Sequence, residues 1–402
     1  MDTESPADRI IGYCTNVHAG ATFTEAIKNL ETYGVAVKNR VSPHNVLGIG
    51  WWLSRQSVTE LFSQGAEGLP RLRPWFEERG LLPFTFNGFP YGDFHEPIVK
   101  HRVYEPDWST NDRLGYTLAL AAILAELSPR AAQRSISTLP IGWPTHPCPA
   151  VNVDVATTNL LELAKQLEKI EQLTGVLIHL DLEPEPGCIL QRSQDVVDFF
   201  QDHLIPKAEQ QHISSETVYR HIRVCHDICH AAVMFENQAT VIENYRAAGI
   251  RVGKVQVSSA LKTRFDELSA NEQEQAIRQL HAFAEDRYLH QTMIRLPDGE
   301  TSFYDDLPQA LASMDTQHPR GEWRVHFHVP IFLDRFGLIE TTQDQIGQCL
   351  RAIKPEDGVL HFEVETYAWD VLPKELRTDD LAEGIAREIL WLKDRFAEED
   401  TQ

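Results

Sequence analysis

Most of the residues able to do chemistry sit at the ends of short apolar runs. In IHLDLEPEP, His179, Asp181 and Glu183 share one strand parity, and Pro184 stops the run directly after Glu183. A carboxylate at such an end is either a divalent-metal ligand or general base, or a solvated loop acid. Glu185 follows at the same parity as a substrate contact. The stretch VCHDICHAAV (224–233) holds two cysteines, two histidines and an aspartate. Asp227 ends its strand and His230 comes three residues later, so one helical turn or a tight loop brings carboxylate and imidazole to the same point. His226 has the opposite parity and should face the helices. A structural zinc knuckle would need two cysteine pairs or finger-like spacing. Cys225 and Cys229 lie four apart, with no C-x-x-C elsewhere, so the cysteines read as bystanders.

Three further stretches complete the set. Gln256 lies near the end of KVQVSSA and can ligate through its side-chain carbonyl. RVHFHVP puts His326 and His328 at i, i+2, on one side of an extended segment, as a metal pair or a hydrogen-bonded structural pair. In LHFEVETY, His361, Glu363 and Glu365 share a parity, with Glu363 inside the strand end and Glu365 just beyond it. Each is weak evidence alone. Together they give acids at three strand ends and Gln256 at a fourth, enough to hold one divalent ion while two carboxylates flank a substrate. The N-terminal half adds His18, Asn87 and His95 as substrate contacts, and aromatics such as Trp51 and Trp52 that can stack on a sugar or a flat ring.

Eight elements must position these groups. Strands are expected at 9–18, 45–54, 82–92, 135–143, 175–187, 222–230, 252–260 and 358–367, each followed by a helical stretch. Two helices should open on capping boxes, Thr22 with Glu25 and Ser57 with Glu60. Eight strand–helix units imply a parallel (β/α)8 TIM barrel, with function at the C-terminal strand ends. A doubly wound open sheet is the alternative, but no G-x-G-x-x-G follows the first strand. Residues 1–402 read as one domain with a core at 8–395. Residues 285–335 read as an insertion in the seventh βα loop, with a hairpin turning at Pro297–Gly299 and an extended stretch at 323–332.

The 402 residues carry a formal charge of −22, which disfavours nucleic acid and anionic membrane partners. No apolar run reaches the roughly 18 residues of a membrane span. The acidic, polar N-terminus is unlike a secretory signal, and six scattered cysteines suit reduced thiols, so a cytoplasmic location is expected.

Glu183 on strand five, D-x-x-H on strand six and an acid on strand eight resemble the xylose isomerase-like TIM barrels, which include sugar isomerases, ketose epimerases and the endonuclease IV type of AP endonuclease. The strings YCTNVHAG, FPYGDFH, LDLEPEPGC and FEVETYAWDVLP resemble the metabolite traffic protein EboE family, encoded in ebo gene clusters, over residues 10 to 395. The resemblance implies a divalent ion (Mn, Mg, Zn or Co) on Glu183, Asp227 and Glu363, with Glu183 and Glu363 as an acid–base pair. His230 would touch substrate or join His326 and His328 at a second metal. The fourth ligand in this pattern is normally histidine, and here it is Gln256. The implied activity is isomerisation or epimerisation of a small metabolite. The alternatives are a non-catalytic metabolite binder of an export pathway and a metal-dependent phosphodiesterase. Other ebo-cluster proteins and further copies of the chain are the implied partners.

Overall fold

The computed structural model describes residues 9–65, 68–313 and 319–399, so most of the acidic N-terminal stretch lies outside the described residues. Seven parallel strands come first: β1 (Ile10–Cys14), β2 (Leu47–Trp51), β3 (Leu81–Asn87), β4 (Gln133–Thr138), β5 (Leu177–Leu182), β6 (Ile222–Asp227) and β7 (Val252–Val257). Six short strands follow: β8 (Leu261–Arg264), β9 (Thr292–Arg295), β10 (Thr301–Tyr304), β11 (Glu322–Val325), β12 (Arg335–Phe336) and β13 (Ile339–Thr341). The last is β14 (His361–Val364). The seven and β14 close into a barrel in the order β1-β14-β7-β6-β5-β4-β3-β2. The expected eight strands are all present, and the open-sheet alternative is excluded by the β1–β14 pairing (Ile10 opposite His361, Gly12 opposite Glu363). The fold is a closed (β/α)8 TIM barrel.

Strand parity separates two kinds of packing. Outward residues such as Leu180, Val224, Val255 and Phe362 are buried under the helices; Phe362 packs edge-on against Phe396 of the C-terminal helix Leu381–Glu399, with ring centroids 4.8 Å apart. TIM-barrel interiors are ordinarily filled by branched apolar side chains. This interior is polar instead. His179 and His361 stack at 5.7 Å, Ser135 bonds His361 Nδ1 at 2.8 Å, and His179 Nδ1 pairs with Asp181 at 2.6 Å. One layer higher, fully buried Lys254 pairs with Glu363. Gly50 makes room for that pair, because a Cβ there would overlap Glu363 Oε1.

The caps follow their chemistry with one exception. Thr22 and Glu25 form the expected capping box. The next helix starts three residues before the expected position, at Arg55, because Ser54 is its cap, accepting from the Ser57 N–H at 3.0 Å. Glu60 instead accepts from the Phe23 N–H at 2.8 Å.

The six strands after β7 form one sheet in the order β10-β9-β11-β8-β13-β12. The hairpin turning at 297–299 joins β9 to β10, with Thr301 opposite Arg295 and Gly299 at φ 91°. The sheet also takes in Leu261–Arg264 and the β12–β13 ribbon. Its central strand β11 runs out of the sheet directly into His326 and His328. Backbone bonds from His326 N to Gln291 O (2.8 Å) and from Val329 N to Ser259 O (3.1 Å) hold that exit over the barrel mouth.

Candidate metal centre and cleft

Asp227 is the pivot of the site. It ends β6 and caps the short helix Ile228–Val233 through its Oδ1, which accepts from the His230 N–H at 3.0 Å and from Ser258 Oγ at 2.7 Å. The cap leaves Oδ2 buried without a hydrogen-bond partner, 3.8 Å from Nε2 of both His230 and His328. Burial alone would raise the Asp227 carboxyl. The two imidazoles and the two hydrogen bonds outweigh it and hold the group below the usual range.

Three imidazoles converge beside it. His230 Nε2 lies 3.3 Å from His326 Nε2, which lies 3.2 Å from His328 Nε2. Their Nδ1 atoms each face an oxygen: Pro184 O at 2.9 Å, Gln291 Oε1 at 2.7 Å and Glu365 O at 2.7 Å. Carbonyl oxygens only accept, so each ring carries its hydrogen on Nδ1. The Gln291 amide is oriented by its other end, which donates to Glu185 Oε1 (2.8 Å) and Tyr104 Oη (2.9 Å). Burial, reinforced by the neighbouring rings, pushes His326 well below its ordinary value. Burial lowers His328 to about 4 despite Asp227. Burial thus favours the neutral ring at His326 and His328, and the Nε2 atoms of all three rings meet within 3.3 Å of a neighbour. Two nitrogens on one tetrahedral zinc ion at about 2.1 Å lie about 3.4 Å apart. The donor set and its backing oxygens thus fit a divalent cation.

A second cluster shares Asp227. Glu183, Asp227 and Glu365 are buried, with one oxygen of each within 4.8 Å of the others. Burial first, then Glu365 and Asp227, pushes the Glu183 carboxyl well up. Burial, then Asp227 and Glu363, raises Glu365 to about 8. Acids crowded in this way favour a bound cation or a retained proton. Gln256 Oε1 is likewise buried without a partner, while its Nε2 donates to Asn87 Oδ1 at 3.1 Å.

The other expected residues divide between cleft and support. Glu363 lies below this cluster, with its carboxylate engaged by Lys254 and by Asn87 Nδ2 (2.8 Å). Asn87 lines the cleft, but its oxygen also receives Lys254 Nζ at 2.9 Å. Glu185 lines the cleft and accepts from Tyr104 Oη at 2.8 Å. His18 is not brought to the cleft: its ring stacks on Tyr33 at 4.5 Å, and burial lowers it to about 3. His95 stands behind the cleft, holding the Asn16 carbonyl at 2.7 Å. His226 faces outward to Gln238, as its parity requires, and all six cysteines are buried and free.

Several contributors had no motif in the sequence. Asn16 donates to Glu365 Oε1 at 2.8 Å; it lies two residues from His18, in the same loop after β1. Gln291 and Lys254 owe their places to tertiary neighbours. A run of aromatics lines the mouth, including Phe89, Phe94, Tyr104, Tyr288 and Tyr367.

The cleft over these clusters encloses about 590 Å³, open solvent at its mouth included. Its position at the C-terminal ends of the strands is that of a TIM-barrel active site. Solved structures share the fold. A xylose isomerase-like TIM barrel protein from Mycobacterium smegmatis, in complex with magnesium, is 10% identical, covers 99% of both chains and has a TM-score of 0.53. A D-tagatose 3-epimerase-like protein is 10% identical over 98% of both chains, with a TM-score of 0.48. The IolI protein with a zinc atom is 11% identical over 97% of both chains, with a TM-score of 0.45. No protein-family model matches the chain, and no curated protein matches it by sequence. Among the described residues, no helix is long and apolar enough to cross a membrane.

Proposed function

We propose that this chain is a divalent-metal-dependent enzyme that moves a proton on a small hydroxy-carbonyl metabolite, in the manner of an isomerase or epimerase. The observation that carries the reading is the convergence of the Nε2 atoms of His230, His326 and His328 beside the unpartnered Oδ2 of Asp227. His230, His326, His328 and Asp227 would hold one ion. Glu183, Asp227 and Glu365, with Gln256 Oε1, would hold another or share the first. A bound divalent ion would polarise the substrate carbonyl and acidify the adjacent C–H.

The chain's own groups would do the rest. Glu183 follows β5 and Glu365 follows β14, with β6 and β7 between them in the barrel wall. The two therefore approach a ligand from different sides, one to take a proton and one to return it. Glu363 leaves the acid–base pair in this reading, since Lys254 and Asn87 already engage it. Asn16 steadies Glu365, and Gln291 fixes the ring of His326. The likeness of four sequence strings to the EboE family supports a substrate that is a metabolite processed for traffic, with other ebo-cluster proteins as partners. The formal charge of −22 weighs against the phosphodiesterase alternative on DNA.

The test is exchange at carbon. Small hydroxy-ketones incubated in D2O with manganese- or zinc-loaded protein should lose the C–H signal next to the carbonyl by proton NMR. Glu183→Gln should stop the exchange while the histidines keep their metal. Unchanged exchange in Glu183→Gln would overturn the assignment.

A further inference from the structure

The cleft has two chemically different ends. Its floor gathers the carboxylates, imidazoles and amides of the lining: Asn16, Asn87, the glutamates at 183, 185 and 365, and the three histidines. Its walls are Phe89, Phe94, Val99, Val103, Tyr288 and Tyr367, with Pro90, Tyr104 and Leu289. The aromatic part is packed as a unit. Phe94 lies 4.9 Å from Tyr288 and 5.4 Å from Tyr367, and those two rings meet at 5.0 Å. Of the three wall tyrosines, two have committed hydroxyls: Tyr288 Oη donates to the Phe94 carbonyl at 3.2 Å, and Tyr104 Oη donates to Glu185. The lone wall cation, Lys100, is taken by Asp306 at 2.5 Å.

We propose that the ligand is a flat, uncharged ring bearing two neighbouring oxygens, bound with the oxygens on the floor and the ring between the aromatic walls, in preference to a phosphorylated sugar. This rests on the metal-floor reading above. A sugar carries hydroxyls around its whole ring, and each one buried against these walls would lose its water without gaining a partner. A phosphate would meet a cation already paired with Asp306, above a floor crowded with carboxylates. A planar ring loses nothing at the walls and gains ring–ring contact there. Two adjacent oxygens match the one place where polar groups converge.

The experiment is titration calorimetry of the full chain, zinc-loaded and metal-free, against catechol, fructose 6-phosphate and inorganic phosphate. Zinc content is measured on the same samples. Catechol should bind the zinc-loaded protein at least about tenfold more tightly than fructose 6-phosphate. Phe94→Leu, which keeps an apolar wall but removes the ring, should weaken catechol by about two- to tenfold at unchanged zinc content. Fructose 6-phosphate or phosphate binding as tightly as catechol would overturn the proposal, as would a Phe94→Leu protein that binds catechol normally. If the protein holds no zinc, the metal reading fails by itself. Catechol preference in the metal-free protein then still supports the ring assignment, and its absence overturns it.

Discussion

His326 Nε2 and His328 Nε2 face each other at 3.2 Å, each ring having given its one hydrogen to an oxygen on its far side. Two lone pairs at that distance repel unless a cation sits between or beside them. His230 brings a third Nε2 atom and Asp227 an unpartnered carboxylate oxygen. The fold holds this arrangement because the oxygens behind the rings are two backbone carbonyls and one amide clamped at its other end.

The clamp gives the first prediction. Gln291→Leu removes the acceptor for His326 Nδ1 and the donor to Glu185. Zinc affinity should fall about 10- to 100-fold, the usual effect of losing such a backing contact. Competition with a chromogenic chelator reads it, and an unchanged circular dichroism spectrum shows that the barrel is intact. Wild-type affinity in this variant would mean that His326 is not a ligand.

The buried pair below the site gives the second. Lys254→Met leaves Glu363 in the barrel without its cation. Unfolding in urea should show a loss of about 3–5 kcal/mol. Lys254→Met with Glu363→Gln should recover most of it, because no uncompensated charge remains. A double variant as unstable as the single one would contradict the pairing.

Gly50 gives the third. A methyl group at this position overlaps Glu363 Oε1, so Gly50→Ala must displace the carboxylate or the strand. The expected cost is about 1–3 kcal/mol, measured by thermal or urea unfolding. Glu363→Ala in the same chain opens the space and should lessen the effect of Gly50→Ala.

The fourth concerns pH. Glu388 is buried where Thr366, the Ile331 N–H and the Trp369 indole point into its carboxyl. Burial raises it to about 7. A carboxyl raised on folding binds its proton more tightly in the native state. Its contribution is present in full below the unfolded value of about 4.5 and is lost as pH rises through 7, a change on the order of 3 kcal/mol. Glu388→Gln should flatten the urea-unfolding stability between pH 5 and 7. An equally steep profile would assign the dependence elsewhere.

Much of this architecture was legible in the sequence, for a physical reason. Parallel barrel strands are covered by helices on one face, so each reads as a β-branched or apolar run ended by a turn. Parity then placed His226 outward and Glu183, Asp227 and Gln256 inward. What parity could not supply was depth: Glu363 and Glu365 share a face, but Glu365 lies past the end of β14, where its N–H bonds Val257 O (3.2 Å) and its carboxylate joins Glu183 and Asp227. His18 was drawn in by its type and strand-end position, yet a stacking partner 15 residues on, Tyr33, holds it away. Gln291 and Lys254 were not legible because their roles come from partners far along the chain. The H-x-H of 326–328 left metal pair and hydrogen-bonded pair equally open. The Nδ1 partners, all oxygen acceptors, favour the former.

The central claim is that this cluster binds a divalent cation, and metal content tests it most directly. Protein dialysed against zinc, freed of unbound metal and analysed by plasma mass spectrometry should retain about one ion per chain or more, and the His326→Ala, His328→Ala double variant should lose at least one of them. Less than about 0.1 zinc per chain in the unaltered protein, with manganese and magnesium equally absent after the same treatment, would contradict it.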